Sequence, residues 1–195
     1  AEVAIFAVVS LQMAKFSSQV IAAYQSAMNF ATLLYAFPVS VSMALPIVIS
    51  YEIGANRPQA ARQYAIIGRL TAILFAGLTL TFLYFNRQMV AGWYGQNPVF
   101  IRLTADFLVF ALFFQLADAF TAPIQGILRG YKDTTVPFLL GLISFWSLTF
   151  PIAFLLEGTT DLGPKAYWVG LIVGIFACGI TLNIRMHIVE KRTVQ

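Results

Sequence analysis

Two carboxylates in this chain stand where a carboxylate is costly. Asp118 is the lone charge between Phe107 and Leu128, in FLVFALFFQLADAFTAPIQGIL, and Glu2 is followed by 12 uncharged residues before Lys15. A carboxylate inside hydrocarbon faces a cavity, a partner or an ion path far more often than it faces lipid. Helical rise puts Glu2 about 20 Å from the Lys15 boundary and Asp118 about 16 Å from the Arg129 boundary. The two therefore lie at similar depth and can share one site. The competing reading for Asp118 is an internal hydrogen-bonded pair. As chemistry, two such groups suit competition for a cation or a proton, and only formally an acid–base pair. The lone Cys178 and His187, near the C-terminal end, make no nucleophile pair, and neither a GxSxG nor a paired-aspartate signature occurs.

Polar residues follow helical spacing around these groups. Gln115, Asp118, Thr121 and Gln125 recur at three, three and four residues, along one helix face. Gln25, Asn29 and Thr32 do the same, followed by Pro38, Ser40, Ser42 and Pro46. Such amides and hydroxyls also serve simply as interhelical hydrogen bonds. Each proline deletes a backbone donor, so a kink or an unwound stretch is expected at Pro38 and Pro46. The expected lining of a substrate cavity is Gln25, Asn29, Phe114, Gln115 and Thr121, with Phe30, Phe110 and Phe113 as further apolar candidates.

The elements that must position these residues are membrane helices. The chain has 195 residues, 59% hydrophobic and 10% charged, with a mean hydropathy of +0.80. Soluble domains carry about 25% charged residues. Charge-free intervals between Lys15 and Glu52, Arg69 and Arg87, Arg102 and Arg129, Asp133 and Glu157, and Lys165 and Arg185 suit helices crossing hydrocarbon about 30 Å thick. With the apolar start they predict six spans, near 1–15, 18–52, 62–86, 103–128, 134–156 and 166–186. A β-barrel would alternate apolar and polar residues in segments of about ten, and no run alternates. The fold class expected is an all-α integral membrane bundle of six transmembrane helices.

The connections divide the basic residues unevenly. Arg57, Arg62, Arg69, Arg129, Lys132, Arg185, Lys191 and Arg192 fall on one side, and Lys15, Arg87, Arg102 and Lys165 on the other. The positive-inside rule assigns the richer side, with the C-terminus, to the cytoplasm of a multi-pass cell-membrane protein. Gly54 is expected to end one helix in left-handed conformation, and Asp133 or Thr134 to cap another. Glu52 and Asp106, near span ends, are expected to reach water. The net charge of +4 is scattered between apolar runs, so no nucleic-acid partner is expected. One cysteine excludes a disulfide framework, and no metal site is expected. The chain opens on Ala-Glu inside an apolar run, without the basic flank of a signal peptide. Residue 1 is read as a truncation point.

The long motifs IAAYQSAMNFATLLYAFPVSVSMALPIVISYEIGANRPQAAR and FFQLADAFTAPIQGILRGYKDTTVPF, with LGPKAYWVGLIVG later, resemble the multidrug and toxic compound extrusion (MATE) transporters of NorM type. The resemblance covers nearly the whole chain. It implies twelve helices in two six-helix lobes related by a pseudo-twofold axis along the membrane normal, with this chain as the second lobe. It further implies that Glu2 and Asp118 form a cation or proton site. An aromatic hydroxyl that the family often carries four residues before its aspartate is here Phe114. A common His before Gln is here Tyr24. Both Na⁺ and H⁺ therefore stand as coupling ions, with no other cofactor expected.

The activity implied is antiport of amphipathic organic cations, with the bilayer and the missing N-terminal six-helix lobe as partners. A flippase for lipid-linked or polysaccharide precursors shares the architecture, although no span interior carries the Lys or Arg that an anionic headgroup would call for. An intramembrane enzyme and a non-catalytic subunit are the remaining classes. One lobe alone has nothing to rock against, so the isolated chain is expected not to transport.

Overall fold

The computed structural model describes the backbone of residues 2–194 and the side chains of residues 5–193. In chain order the helices are α1 (Glu2–Met13), α2 (Ser18–Gly54), α3 (Pro58–Gly92), α4 (Pro98–Gly130), α5 (Thr135–Ser144), a π-helical turn Phe145–Thr149, α6 (Phe150–Thr159) and α7 (Lys165–Val194). No strand occurs among the described residues. Five helical stretches are long and apolar enough to cross a bilayer: α2, α3, α4, the run Thr135–Thr159 and α7. The 12 residues of α1 cover about 18 Å, short of the hydrocarbon thickness.

Helix α4 is the axis of the bundle, packed against α2, α3 and α7. Its composition allows this, because Ala117, Ala119, Ala122, Gly126 and Gly130 are all buried. In lipid, helices gain by close packing rather than by water exclusion, and small residues permit it. A Cβ built on Gly126 would lie 2.5 Å from the Ser42 carbonyl oxygen, and one on Gly130 would lie 2.7 Å from Ile49 Cβ. On the far side, a Cβ on Gly179 of α7 would lie 2.5 Å from Thr121 Oγ1. Large apolar residues such as Leu33, Ile47, Leu74, Phe85 and Leu155 point outward instead, as suits a lipid-facing surface.

Helices α2 and α4 stop in the same way at the basic end of the bundle. Asn56 and Lys132 adopt left-handed backbone, with φ of 55° and 60°. The next residue then donates back across the last turn, Arg57 N to Glu52 O at 2.9 Å and Asp133 N to Leu128 O at 2.9 Å. This is the Schellman geometry, which satisfies carbonyls that the helix end would orphan. The left-handed residue is thus Asn56, and Gly54, expected in that role, is the last helical residue. Thr134 precedes α5 without a side-chain cap bond. Asp133 is engaged elsewhere, with its Oδ2 2.6 Å from Arg185 Nε of α7.

Glu52 was expected to reach water from its place near a span end, but it does not. It is buried and pairs with Arg57 Nε at 2.9 Å. At the opposite end Lys165 Nζ lies 2.7 Å from Asp106 Oδ2, and the Tyr167 hydroxyl donates to Glu157 at 2.7 Å. Ion pairs thus tie helices together near both ends of the bundle.

The prolines act differently from one another. Helix α2 runs unbroken through Pro38 and Pro46, so neither unwinds it. The run Thr135–Thr159 does loosen, into a π-helical turn at Phe145–Thr149. Pro151 explains the location: it lacks the N–H that the Ser147 carbonyl would accept, and the ladder shifts register ahead of it.

Candidate functional site

Asp118 sits midway along α4 and is 2% exposed. Beside it opens a cavity of about 370 Å³. Phe6 of α1, Met28, Thr32 and Tyr35 of α2, and Phe114 of α4 form its walls with Asp118. Three elements therefore meet at this one carboxylate. Residues 28, 32 and 35 share one face of α2 by helical spacing, and Phe114 stands one turn before Asp118.

The wall is stiffened by rings. Phe6 and Phe114 meet edge to face with centroids 5.5 Å apart. Phe114 continues to Trp168 of α7 at 6.3 Å, Trp168 to Tyr24 at 5.8 Å, and Tyr24 to Phe107 at 6.2 Å. Each contact is tilted, the arrangement that ring quadrupoles prefer. A cavity with ring walls, a thioether and a carboxylate can hold a positive guest by charge, cation–π attraction and apolar contact together.

The remaining residues expected at the cavity lie elsewhere. Gln25 is exposed on α2. Asn29 is also exposed, and its Oδ1 accepts from the Tyr94 hydroxyl at 2.9 Å, binding the α3–α4 connection to α2. Thr121 is buried toward α7 and donates to the carbonyls of Ala117, at 2.8 Å, and Ile175, at 3.2 Å. Gln115 is buried behind the cavity and donates from Nε2 to the Leu34 carbonyl at 3.1 Å. The side chain of Glu2 lies outside the described residues. Gln125, the last residue of the α4 stripe, belongs to a second cavity of about 270 Å³ toward the basic end, with Arg129, Phe138 and Phe145.

Phe6, Met28 and Tyr35 were not among the residues expected here. The polar stripe points to Gln25 and Asn29, whereas the cavity uses a face of α2 rotated by roughly 60° about the helix axis. The signal available was Thr32, which belongs to both faces.

Comparison with known proteins gives a consistent result. The family model MatE matches residues 1–155. The chain is 55% identical over 192 residues to a protein of Streptococcus pneumoniae described as "Probable multidrug resistance protein NorM", covering 98% of this chain and 42% of that protein. It is 45% identical over 194 residues to a protein of the same description from Bacillus subtilis, covering 100% and 43%. A solved structure, described as the outward-facing conformation of a multidrug resistance MATE family transporter of the MOP superfamily, superposes with a TM-score of 0.84 at 15% identity, covering 97% of this chain and 44% of that one. The chain thus spans a little under half the length of these relatives, and its fold is that of one half of a two-lobe transporter. With a family model matched over most of its length and five membrane-crossing helices, this multi-pass membrane chain belongs to the MatE family.

Proposed function

We propose that the protein of which this chain supplies one lobe exports amphipathic organic cations across the cell membrane in exchange for Na⁺ or H⁺. The observation that carries this reading is a buried carboxylate, Asp118, opening on a cavity of rings and a thioether. The relatives, described as probable multidrug resistance proteins, point the same way.

The mechanism follows from the cost of charge in a low-dielectric site. Such a site favours positive charge beside Asp118, whether a proton, a small cation or the positive head of a guest. Only one occupies the site at a time. A coupling ion arriving from outside displaces the guest outward, and its release inside restores the attraction for the next guest. Phe6, Phe114, Tyr35 and Met28 supply contact that tolerates guests of varied shape. Glu2, four residues before Phe6 in sequence, is the second carboxylate of this scheme. The basic end of the bundle, with the C-terminus, lies in the cytoplasm, and the second lobe completes alternating access.

Among the described residues, none lining the cavity is basic, which disfavours the anionic headgroup that a lipid-precursor flippase would carry. The deciding experiment is dye efflux from energised vesicles holding the full-length transporter with Asp118→Asn. Loss of ion-coupled efflux is expected; efflux at the unsubstituted rate would sink the role of Asp118. Vesicles that instead translocate lipid-linked sugars and no cationic dye would favour the flippase.

A further inference from the structure

Pro38 has no N–H, so the Leu34 carbonyl four residues earlier loses its helical donor. Helix α2 nevertheless continues through this point. The donor that takes its place comes from another helix: Gln115 Nε2 of α4, at 3.1 Å. The other end of the same amide, Oε1, is buried and accepts no hydrogen bond among the described residues. A buried acceptor left unmet costs stability, and a leucine or methionine would fill this space without that cost. The amide is therefore placed for its donor.

At the second proline the α2 and α4 backbones are in close contact instead. Pro46 frees the Ser42 carbonyl, but there Gly126 brings the α4 backbone hard against it. Ser42 Oγ donates to the Ala122 carbonyl at 2.6 Å, and Arg129 Nη2 donates to Ser42 Oγ at 2.9 Å. The lower part of α2 is thus clamped to α4 by backbone contact. At Pro38 a single side chain bridges the gap. The segment above it, 18–37, buries Ala23, Ala27 and Ala31 together with Tyr24 and Phe30, and Tyr24 anchors its far end against Phe107 and Trp168. That same segment carries Met28, Thr32 and Tyr35, one wall of the cavity.

We propose that Gln115 is a positioning residue: it latches a hinge at Pro38 and so fixes the α2 wall of the cavity against Phe114 and Asp118. When the latch is made, the carbonyl is satisfied and the wall is held. When it opens, Leu34 O is free and the stretch between the Tyr24 anchor and Pro38 flexes, changing the width of the site. This rests on the reading of the cavity as the binding site, but the hinge itself is testable without any substrate.

The test is a double-substitution cycle in the full-length transporter, with Pro38→Ala and Gln115→Met. Alanine at 38 restores an N–H for the Leu34 carbonyl and makes the latch redundant. The readout is the maleimide labelling rate of a cysteine introduced by Thr32→Cys, in protein otherwise free of reactive cysteine; Cys178 is buried. Q115M is expected to raise the labelling rate roughly five- to tenfold with Pro38 present, and less than about twofold in the P38A background. An equal change in both backgrounds, or none with Pro38 present, overturns the latch. If Q115M reduces the yield of folded protein, recovery in P38A/Q115M supports the proposal, and loss in both overturns it. Failure of this cycle leaves the Asp118→Asn result standing, whereas a positive cycle in an unsubstituted transporter that exports no cationic dye would remove the transport reading and keep the hinge.

Discussion

Arg185 Nε lies 2.6 Å from Asp133 Oδ2, so the turn after α4 is bolted to α7 at the basic end of the bundle. Both side chains are largely covered, at 25% and 13% exposure. Such a pair falls between an exposed pair, which contributes little, and a fully buried one, whose single-sided loss is severe. Asp133→Asn should lower stability by about 1–3 kcal/mol. Thermal unfolding of the purified transporter in detergent measures this, and Asp133→Ala should cost no less. A Tm unchanged by either substitution would show that the turn is held without the pair.

The close approach of α2 and α4 gives a sharper contrast. A Cβ at Gly126 meets the backbone carbonyl of Ser42 at 2.5 Å, and backbone cannot swing aside as a side chain can. Gly126→Ala should therefore push the two helices apart and lower Tm. At Gly77 of α3 a Cβ meets nothing within 4 Å. Gly77→Ala should be neutral or stabilising by up to about 1 kcal/mol, through helix propensity. If the two substitutions shift Tm equally, contact at Gly126 is not what sets the helix spacing.

Much of this architecture is visible in the sequence because lipid admits charge only near its edges. The charge-poor interval 62–86 underlies a helix that runs Pro58–Gly92, since helices continue past the hydrocarbon into water. Asp118 announces itself by being the wrong residue for its surroundings. Phe114 follows from standing one turn away. The other cavity walls are harder to read. Met28 and Phe6 look like ordinary packing until α1, α2 and α4 are brought together. Asn29 and Gln115 look like site residues, yet each finds its partner in tertiary structure, Tyr94 65 residues on and the Leu34 carbonyl 81 residues back. The left-handed turn at Asn56 rather than Gly54 is likewise set by where the Schellman bonds close, a choice between two residues that both tolerate it.

Phe114 should separate binding from turnover. Its ring is the edge that meets both Phe6 and Trp168, and it faces the cavity beside Asp118. Phe114→Ala removes that wall without touching the carboxylate. In the full-length transporter, KM for aromatic cations should rise by roughly tenfold, near the upper end of one cation–π and packing contact. The rate at saturating dye should fall much less, and Phe114→Leu should behave between the two. Dye efflux measured over a concentration series tests this. A fall in maximal rate at unchanged KM would place Phe114 outside the binding surface.

Tyr131, in the turn after α4, offers a pH test at the basic end. Burial first, then the negative charge of Glu190, raises its pKa from 10.0 to about 12, with Arg62 pulling the other way. The neutral phenol is thus favoured in the folded protein, and its contribution to stability is complete below pH 10. That contribution is lost as pH climbs from 10 toward about 12, where the folded phenol ionises. Ultraviolet titration of the folded transporter should show one tyrosinate step near pH 12 that Tyr131→Phe removes. The same substitution should flatten the alkaline fall in Tm across that window. Because Glu190 supplies part of the shift, Glu190→Gln should move the step toward lower pH. A step that stays in place in Glu190→Gln would leave burial as its whole cause.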